Sequence, residues 1–318
     1  MRIAITGMAW PDVELERGVL GVTADEITRS AGESSAEIVA AAANAEVILT
    51  GPSPIFDADT IGQLSCRGIV RYGVGFENID VDAARRASIE VAYVPDYGTD
   101  AVAFHTISLA LAALRRIPLL DRLVKSGVWS NAAARPLHGP AALTVGIVGF
   151  GRIGRTVARQ FEALGFGRIV ACDAFVSVDE PGIESASLAD VLLNADIVSL
   201  HAPGSQDGAP LVGPNEFATM KEGSIIVNTA RGSLIDTDAL ILGLKAGRPG
   251  VAALDVFDPE PVDPSRFADV LDQVIMTPHV AWYSEESMLA LRVKTAEEAK
   301  RILDGVAPLH PVPEDADA

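Results

Sequence analysis

Leu143-Thr144-Val145-Gly146-Ile147-Val148-Gly149-Phe150-Gly151-Arg152-Ile153-Gly154 decides the fold. An apolar, strand-like run ends in three glycines spaced G-x-G-x-x-G, and a helical stretch opens at the last of them. Glycine here permits a tight turn, close backbone approach to a pyrophosphate, and close packing of helix on strand. The helix N-terminus then offers unpaired N–H groups to the anion. Such turns are common, so context decides. A strand precedes this one, a helix follows, and the next strand-like run, Arg168-Ile169-Val170-Ala171-Cys172, ends at Asp173. A carboxylate there accepts hydrogen bonds from the adenosine ribose hydroxyls and repels a 2′-phosphate, which favours NAD over NADP.

Outward from that turn, the chain alternates strand-like and helical stretches, the pattern of an α/β protein with parallel sheets. Strands are expected at 143–148, 168–172, 196–200, 224–229, 251–256 and 274–277, six in all, as in a doubly wound nucleotide-binding sheet. An earlier series is expected at 2–6, 46–50, 68–72 and 90–94, with alanine-rich helices at 35–43 and 80–88. After Pro95 comes a long apolar helix, about 100–117, ended or kinked at Pro118, and then a loop-like region, 126–142. A last helix spans 284–303, and the polar tail from Pro308 to Ala318 is expected to fray. No repeat of solenoid length is evident.

The 318 residues suit two domains, and a 49% hydrophobic fraction suits large cores. A net charge of −18 argues against nucleic acid or anionic lipid as a partner, so an anionic substrate needs local arginines. Cys66 and Cys172 are too few for a zinc cluster or disulfide scaffold and read as core filler, so no metal is expected. The N-terminus enters a strand without a signal-peptide pattern, and the most apolar helix meets Arg115 and Arg116 well short of a membrane span. A soluble, cytoplasmic protein without a membrane partner is expected.

In open α/β sheets, ligands collect outside the carboxyl ends of the strands. Three expected strands lead there into Ala230-Arg231-Gly232, through Asp255 to Glu260, and into Pro278-His279. Taken singly, a histidine after a strand is more often structural, Glu260 is compatible with a surface charge, and Arg231 with a salt bridge. Together, on the edge that carries the nucleotide turn, they suit hydride transfer to a 2-keto acid. The keto oxygen gains charge as hydride arrives. Histidine donates the proton, a carboxylate beside it favours the imidazolium, and arginine holds the substrate carboxylate and polarises the carbonyl. None of the four tyrosines has Lys four residues on, and too few cysteines remain for a zinc alcohol dehydrogenase with its usual structural site.

These residues resemble the D-isomer-specific 2-hydroxyacid dehydrogenases. The resemblance lies in the glycine turn, in Val227-Asn228-Thr229-Ala230-Arg231-Gly232-Ser233-Leu234-Ile235-Asp236, and in Ala253-Leu254-Asp255-Val256-Phe257-Asp258-Pro259-Glu260-Pro261 followed by Thr277-Pro278-His279. It places the family's catalytic Arg, Glu and His on Arg231, Glu260 and His279, and its nicotinamide-amide Asp on Asp255. It implies further NAD contacts from Gly149, Gly151, Arg152, Ile153, Gly154, Asp173, Val102, His201, Ala202, Pro203, Thr229, Ala230, Arg231 and His279.

The resemblance also implies a doubly wound NAD domain, 98–282, inserted into a flavodoxin-like α/β substrate domain formed by 1–97 and 283–318, with a hinged cleft. It implies a homodimer paired through the nucleotide domains, with the 100–117 helix and the segment around Trp129 as candidates. Ala281-Trp282-Tyr283-Ser284-Glu285 most resembles the C-terminal-binding-protein branch. There, Trp282 lines the substrate pocket, or else packs between domains, and Arg71 with Gly73, Val74 and Gly75 meets the substrate carboxylate. The chain departs from the family at Phe104, where an acidic residue commonly precedes the helical His105, and at Gly208, which stands in place of a threonine.

The expected activity is NAD-dependent oxidoreduction of a small D-2-hydroxy acid or 2-keto acid. The loop Gly51-Pro52-Ser53-Pro54-Ile55-Phe56 carries no Lys or Arg, which favours a neutral substrate side chain. The chain length is also expected to exclude a C-terminal regulatory domain. The rival reading is an NAD-responsive binding protein of the corepressor type, with little turnover.

Overall fold

The computed structural model describes residues 2–8, 10–32, 34–205 and 208–313. Contacts group the chain into two compact units, Met1–Gly98 with Ser284–Ala318, and Thr99–Tyr283.

The first unit is built on a parallel sheet of five strands, β1 (Ile3–Thr6), β2 (Ile27–Ser30), β3 (Val47–Thr50), β4 (Gly68–Arg71) and β5 (Glu90–Ala92). Their order, β2-β1-β3-β4-β5, is the flavodoxin-like one, and it reverses between β1 and β3. Both β1 and β3 are buried along their whole length, as expected for parallel strands covered on both faces. Strand β2 was not foreseen. Its sequence, Ile-Thr-Arg-Ser, is partly exposed at the sheet edge and carries no apolar run to signal it.

The helix Glu285–Leu303 belongs to this unit. The buried Arg292 donates from Nε to Glu16 Oε1 at 2.8 Å and from Nη2 to Glu16 Oε2 at 2.6 Å, joining that helix to Glu14–Leu20. Breaking such a pair leaves a buried charge uncompensated. The tail is not frayed as far as it is described. Val312 is buried, Ala92 pairs with Pro311, and Glu298 accepts the N–H groups of Leu309 and His310 at 2.8 and 3.1 Å. Residues 314–318 of the expected tail lie outside the described residues.

The second unit holds a parallel sheet of seven strands, β6 (Thr144–Val148), β7 (Arg168–Cys172), β8 (Ile183–Ser185), β9 (Ile197–Leu200), β10 (Ile225–Asn228), β11 (Val251–Leu254) and β12 (Val274–Met276). The order is β12-β11-β10-β9-β6-β7-β8, the doubly wound arrangement with its reversal between β6 and β9. Six strands were expected. The seventh, β8, is a three-residue edge strand with two exposed residues and no periodicity to read.

The single helix expected at 100–117 is two, Thr99–Leu114 and Ile117–Lys125, bent by 57°. Pro118 does not end a helix. It sits in the first turn of the second one, where its missing N–H has no helical partner to lose. The break falls at Arg116, whose φ is 52°. No single helix among the described residues is long and apolar enough to cross a membrane, and no cluster of His, Cys, Asp or Glu among them could hold a metal ion.

Candidate active site

The reversal between β6 and β9 places the turn after β6 beside the segment after β9. Gly149 has φ +92°, and a Cβ there would lie 2.5 Å from the backbone of both His201 and Ala202, so only glycine fits. Gly151 caps the helix Arg152–Ala163, which includes Ile153 and Gly154, and nothing lies within 4 Å of where its Cβ would be. The helix N-terminus thus faces an open cradle that a side chain would fill. That geometry fits a bound pyrophosphate.

Asp173 follows β7 and has more partners than its place in the motif suggested. Its Oδ2 accepts the Phe150 N–H at 2.6 Å, and its Oδ1 accepts those of Phe175 and Val176 at 2.8 and 2.9 Å. Partial burial opposes its ionisation, but these N–H groups and Arg155 outweigh it and hold the carboxyl below its ordinary range. It is therefore ionised, with part of its accepting capacity left for a ligand. His201 accepts or donates at Nε2 with Ser199 Oγ at 2.8 Å, and burial pushes its pKa down to about 3. Some of its surface still reaches solvent, but the direction makes it a neutral imidazole at ordinary pH. Ala202 and Pro203 continue that segment.

Three loops leave the same sheet edge at β10, β11 and β12. In the first, buried Asn228 clamps the turn that carries Arg231. Its Nδ2 donates to Arg231 O at 2.8 Å and its Oδ1 accepts the Ala230 N–H at 3.0 Å. A Cβ at Gly232 would lie 2.0 Å from the Phe257 backbone, so this loop packs directly on the next.

In that next loop, Glu260 Oε1 accepts the Phe257 N–H at 3.0 Å, and Glu260 Oε2 meets His279 Nδ1 at 2.8 Å. The His279 and Glu260 side chains are 48% and 38% exposed, open enough to meet a substrate. His279 has φ 51°, a left-handed conformation that costs a non-glycine residue about 1–3 kcal/mol. Asp255 holds it there. This residue is 0% exposed; its Oδ1 accepts the Val280 N–H at 3.0 Å and the Thr277 hydroxyl, and its Oδ2 accepts the Ala281 N–H at 2.8 Å. The resemblance gave Asp255 to the nicotinamide amide, but its oxygens are turned to the loop carrying His279.

Arg231, Glu260 and His279 are thus brought to one edge, with Thr229, Ala230, Asp255 and the glycine turn. Val102 lies on the helix Thr99–Leu114, where its carbonyl accepts the Thr106 hydroxyl at 2.7 Å. Trp282 stacks edge-on against Tyr283, ring centroids 5.6 Å apart, at the end of the same unit. Arg71, Gly73, Val74 and Gly75 lie in the other unit, at the carboxyl end of β4. Gly73 has φ +126°, and Arg71 donates from Nη1 to Tyr72 O. Sequence reasoning missed Asn228 and the inward work of Asp255. The signal was a polar residue at the end of a strand whose other residues are apolar.

Residues 107–281 match the model of the D-isomer specific 2-hydroxyacid dehydrogenase NAD binding domain. The chain is 34% identical to D-3-phosphoglycerate dehydrogenase of Archaeoglobus fulgidus over 285 residues, which are 88% of this chain and 54% of that protein. It is also 34% identical to glyoxylate reductase of Aeropyrum pernix over 284 residues, 85% of this chain and 84% of that one. The chain spans about half the length of the phosphoglycerate dehydrogenases it matches. Among solved structures, D-lactate dehydrogenase from Aquifex aeolicus complexed with NAD and lactic acid superposes with a TM-score of 0.86. That match has 26% identity and covers 96% of both chains.

Proposed function

Since this chain belongs to the D-isomer-specific 2-hydroxyacid dehydrogenase family, we propose that it catalyses NAD-dependent interconversion of a D-2-hydroxy acid and its 2-keto acid. The observation that carries the reading is the 2.8 Å contact of His279 Nδ1 with Glu260 Oε2 on the edge that holds the glycine cradle. NAD, held by the turn Gly149–Gly154 and by Asp173, supplies the hydride acceptor or donor.

The chain's own residues do the rest. Glu260 accepts the Nδ1–H of His279, which leaves Nε2 for the substrate oxygen. In the reductive direction, Nε2–H gives its proton to the keto oxygen as negative charge develops there. In the oxidative direction, neutral Nε2 removes the hydroxyl proton. The Phe257 N–H, bound to the second Glu260 oxygen, fixes the carboxylate so that the pair is preorganised. Arg231 binds the substrate carboxylate and stabilises the keto oxygen. Trp282, at the end of the same unit, supplies an apolar wall.

For the substrate, we favour a short, neutral side chain, because the loop at 51–56 offers no cation to a phosphate. Relatives named for both phosphoglycerate and glyoxylate make this the point to test. Exposed Phe104, Ile117, Val124 and Trp129 (89% exposed) support pairing of two copies through the second unit. Steady-state turnover of glyoxylate, pyruvate, bulkier 2-keto acids and 3-phosphohydroxypyruvate with NADH tests the reading. Turnover led by an unphosphorylated keto acid is expected. Preference for the phosphorylated one would overturn the substrate class, and no turnover with any would favour an NAD-responsive binding protein.

A further inference from the structure

Two adjacent residues of one helix grip two of the three loops, those carrying Arg231 and His279, at the same offset. His105 Nε2 lies 3.1 Å from Thr277 Oγ1, two residues before His279, and Thr106 Oγ1 lies 2.8 Å from Thr229 Oγ1, two residues before Arg231. Building on the functional reading above, we infer that His105 and Thr106 are positioning residues. They brace the Arg231 and His279 loops against the helix Thr99–Leu114 and thereby fix the spacing of the two groups that act on the substrate oxygen.

Proton counting supports a directed network. The single Thr106 hydroxyl proton goes to Val102 O at 2.7 Å, so the Thr229 hydroxyl donates to Thr106. The Thr277 hydroxyl donates to Asp255 Oδ1, so it accepts from His105, whose Nε2 therefore carries a proton. Asp255 Oδ1 in turn holds the Val280 N–H, and its Oδ2 holds that of Ala281. The chain His105–Thr277–Asp255 thus pins residues on both sides of His279 and sustains its left-handed backbone. Thr106 and Asp255 are fully buried and Thr229 nearly so, so a lost partner in this network is not replaced freely by solvent. Asp255 Oδ1 also lies 3.6 Å from His105 Nε2, so the three side chains form one compact cluster.

Displacing a reacting group by 1 Å can cost about 10²-fold in rate, so losing one tether should lower kcat about tenfold while leaving NADH affinity within about twofold. The test uses the full chain with T277V, which keeps shape and loses the hydroxyl, T277S, which keeps it, H105A, and the H105A/T277V double variant. NADH dissociation constants, kcat and KM are measured, together with the His279 imidazole resonance of the ligand-free protein, assigned by its disappearance in His279→Ala. Expected are a lowered kcat and a shifted His279 resonance in T277V and H105A, recovery in T277S, and a double variant no worse than the poorer single one. Unchanged kcat and resonance in T277V, or additive losses in the double variant, would overturn the inference. The T277V/T277S pair decides by itself if H105A does not fold. The resonance needs no substrate, so a wild type without turnover would sink the functional reading and leave this inference standing on its own result.

Discussion

The carboxyl edges of the two sheets are furnished differently. On the seven-stranded sheet, the loops after β10, β11 and β12 carry Arg231, Glu260 and His279, and buried polar side chains such as Asn228 and Asp255 hold their backbones. On the five-stranded sheet, the turns after β1 and β3 open with Gly7 and Gly51, and the second continues Pro52-Ser53-Pro54 and is held from the side. Asn78 Nδ2 donates to Gly51 O at 3.2 Å and to Pro54 O at 2.7 Å, and Thr6 donates to Thr50 across the reversal at 3.0 Å. Three loops of the first edge carry charged side chains, whereas residues 7–11 and 51–56 of the second carry none.

The largest effect expected from this contrast is at His279. His279→Ala should lower kcat by about 10² to 10⁴-fold with NADH binding nearly intact, as for loss of a general acid. A variant that loses cofactor affinity and keeps its kcat would place the chemistry elsewhere.

Next comes Asp173. The wild type should prefer NADH to NADPH by about tenfold or more in kcat/KM, about 1.4 kcal/mol, and Asp173→Ala should erase that preference. The same variant should lose about 1 kcal/mol of stability, because the N–H groups of Phe150, Phe175 and Val176 lose their acceptor. Equal use of both cofactors by the wild type would refute the ribose assignment.

After the last catalytic strand, Trp282→Ala should weaken bulky apolar keto acids by about 1 kcal/mol and hardly affect glyoxylate. An identical loss for both would show that Trp282 only packs.

A further effect, on stability rather than on rate, concerns acid. His201 is neutral in the folded chain down to about pH 3, whereas the unfolded chain takes up a proton below its ordinary value of about 6.5. Stability should thus fall as pH drops from about 6.5 toward 3, by up to about 1.4 kcal/mol per pH unit from this group. His201→Gln should flatten that slope in denaturant titrations. An unchanged slope would mean that the imidazole is solvated.

What sequence could reveal follows the same division. The glycine turn, Asp173 and the strand ends that lead to Arg231, Glu260 and His279 were legible as positions on the sheet edge, because Gly, Pro and charge punctuate strand ends without tertiary context. β2 and β8 were not, since each is a short, partly exposed edge strand with no alternation. The end or kink expected at Pro118 falls two residues earlier, at Arg116, because proline is tolerated in the first turn of the helix that follows. The tethers at His105 and Thr106 reach 172 and 123 residues along the chain, and no local pattern foretells such contacts. Asp255 reads as a site residue in sequence, but its inward hydrogen bonds appear only once β11 and β12 are paired.

The central claim is hydride delivery to the 2-carbon of a keto acid, with His279 giving the proton. It is tested most directly by supplying NADH deuterated at the transferable position and analysing the product of an unphosphorylated 2-keto acid. Deuterium bonded to carbon 2 of the D-hydroxy acid, formed by the wild type and nearly absent with His279→Ala, is the expected result. An L-product, label lost to solvent, or undiminished transfer by His279→Ala would contradict it.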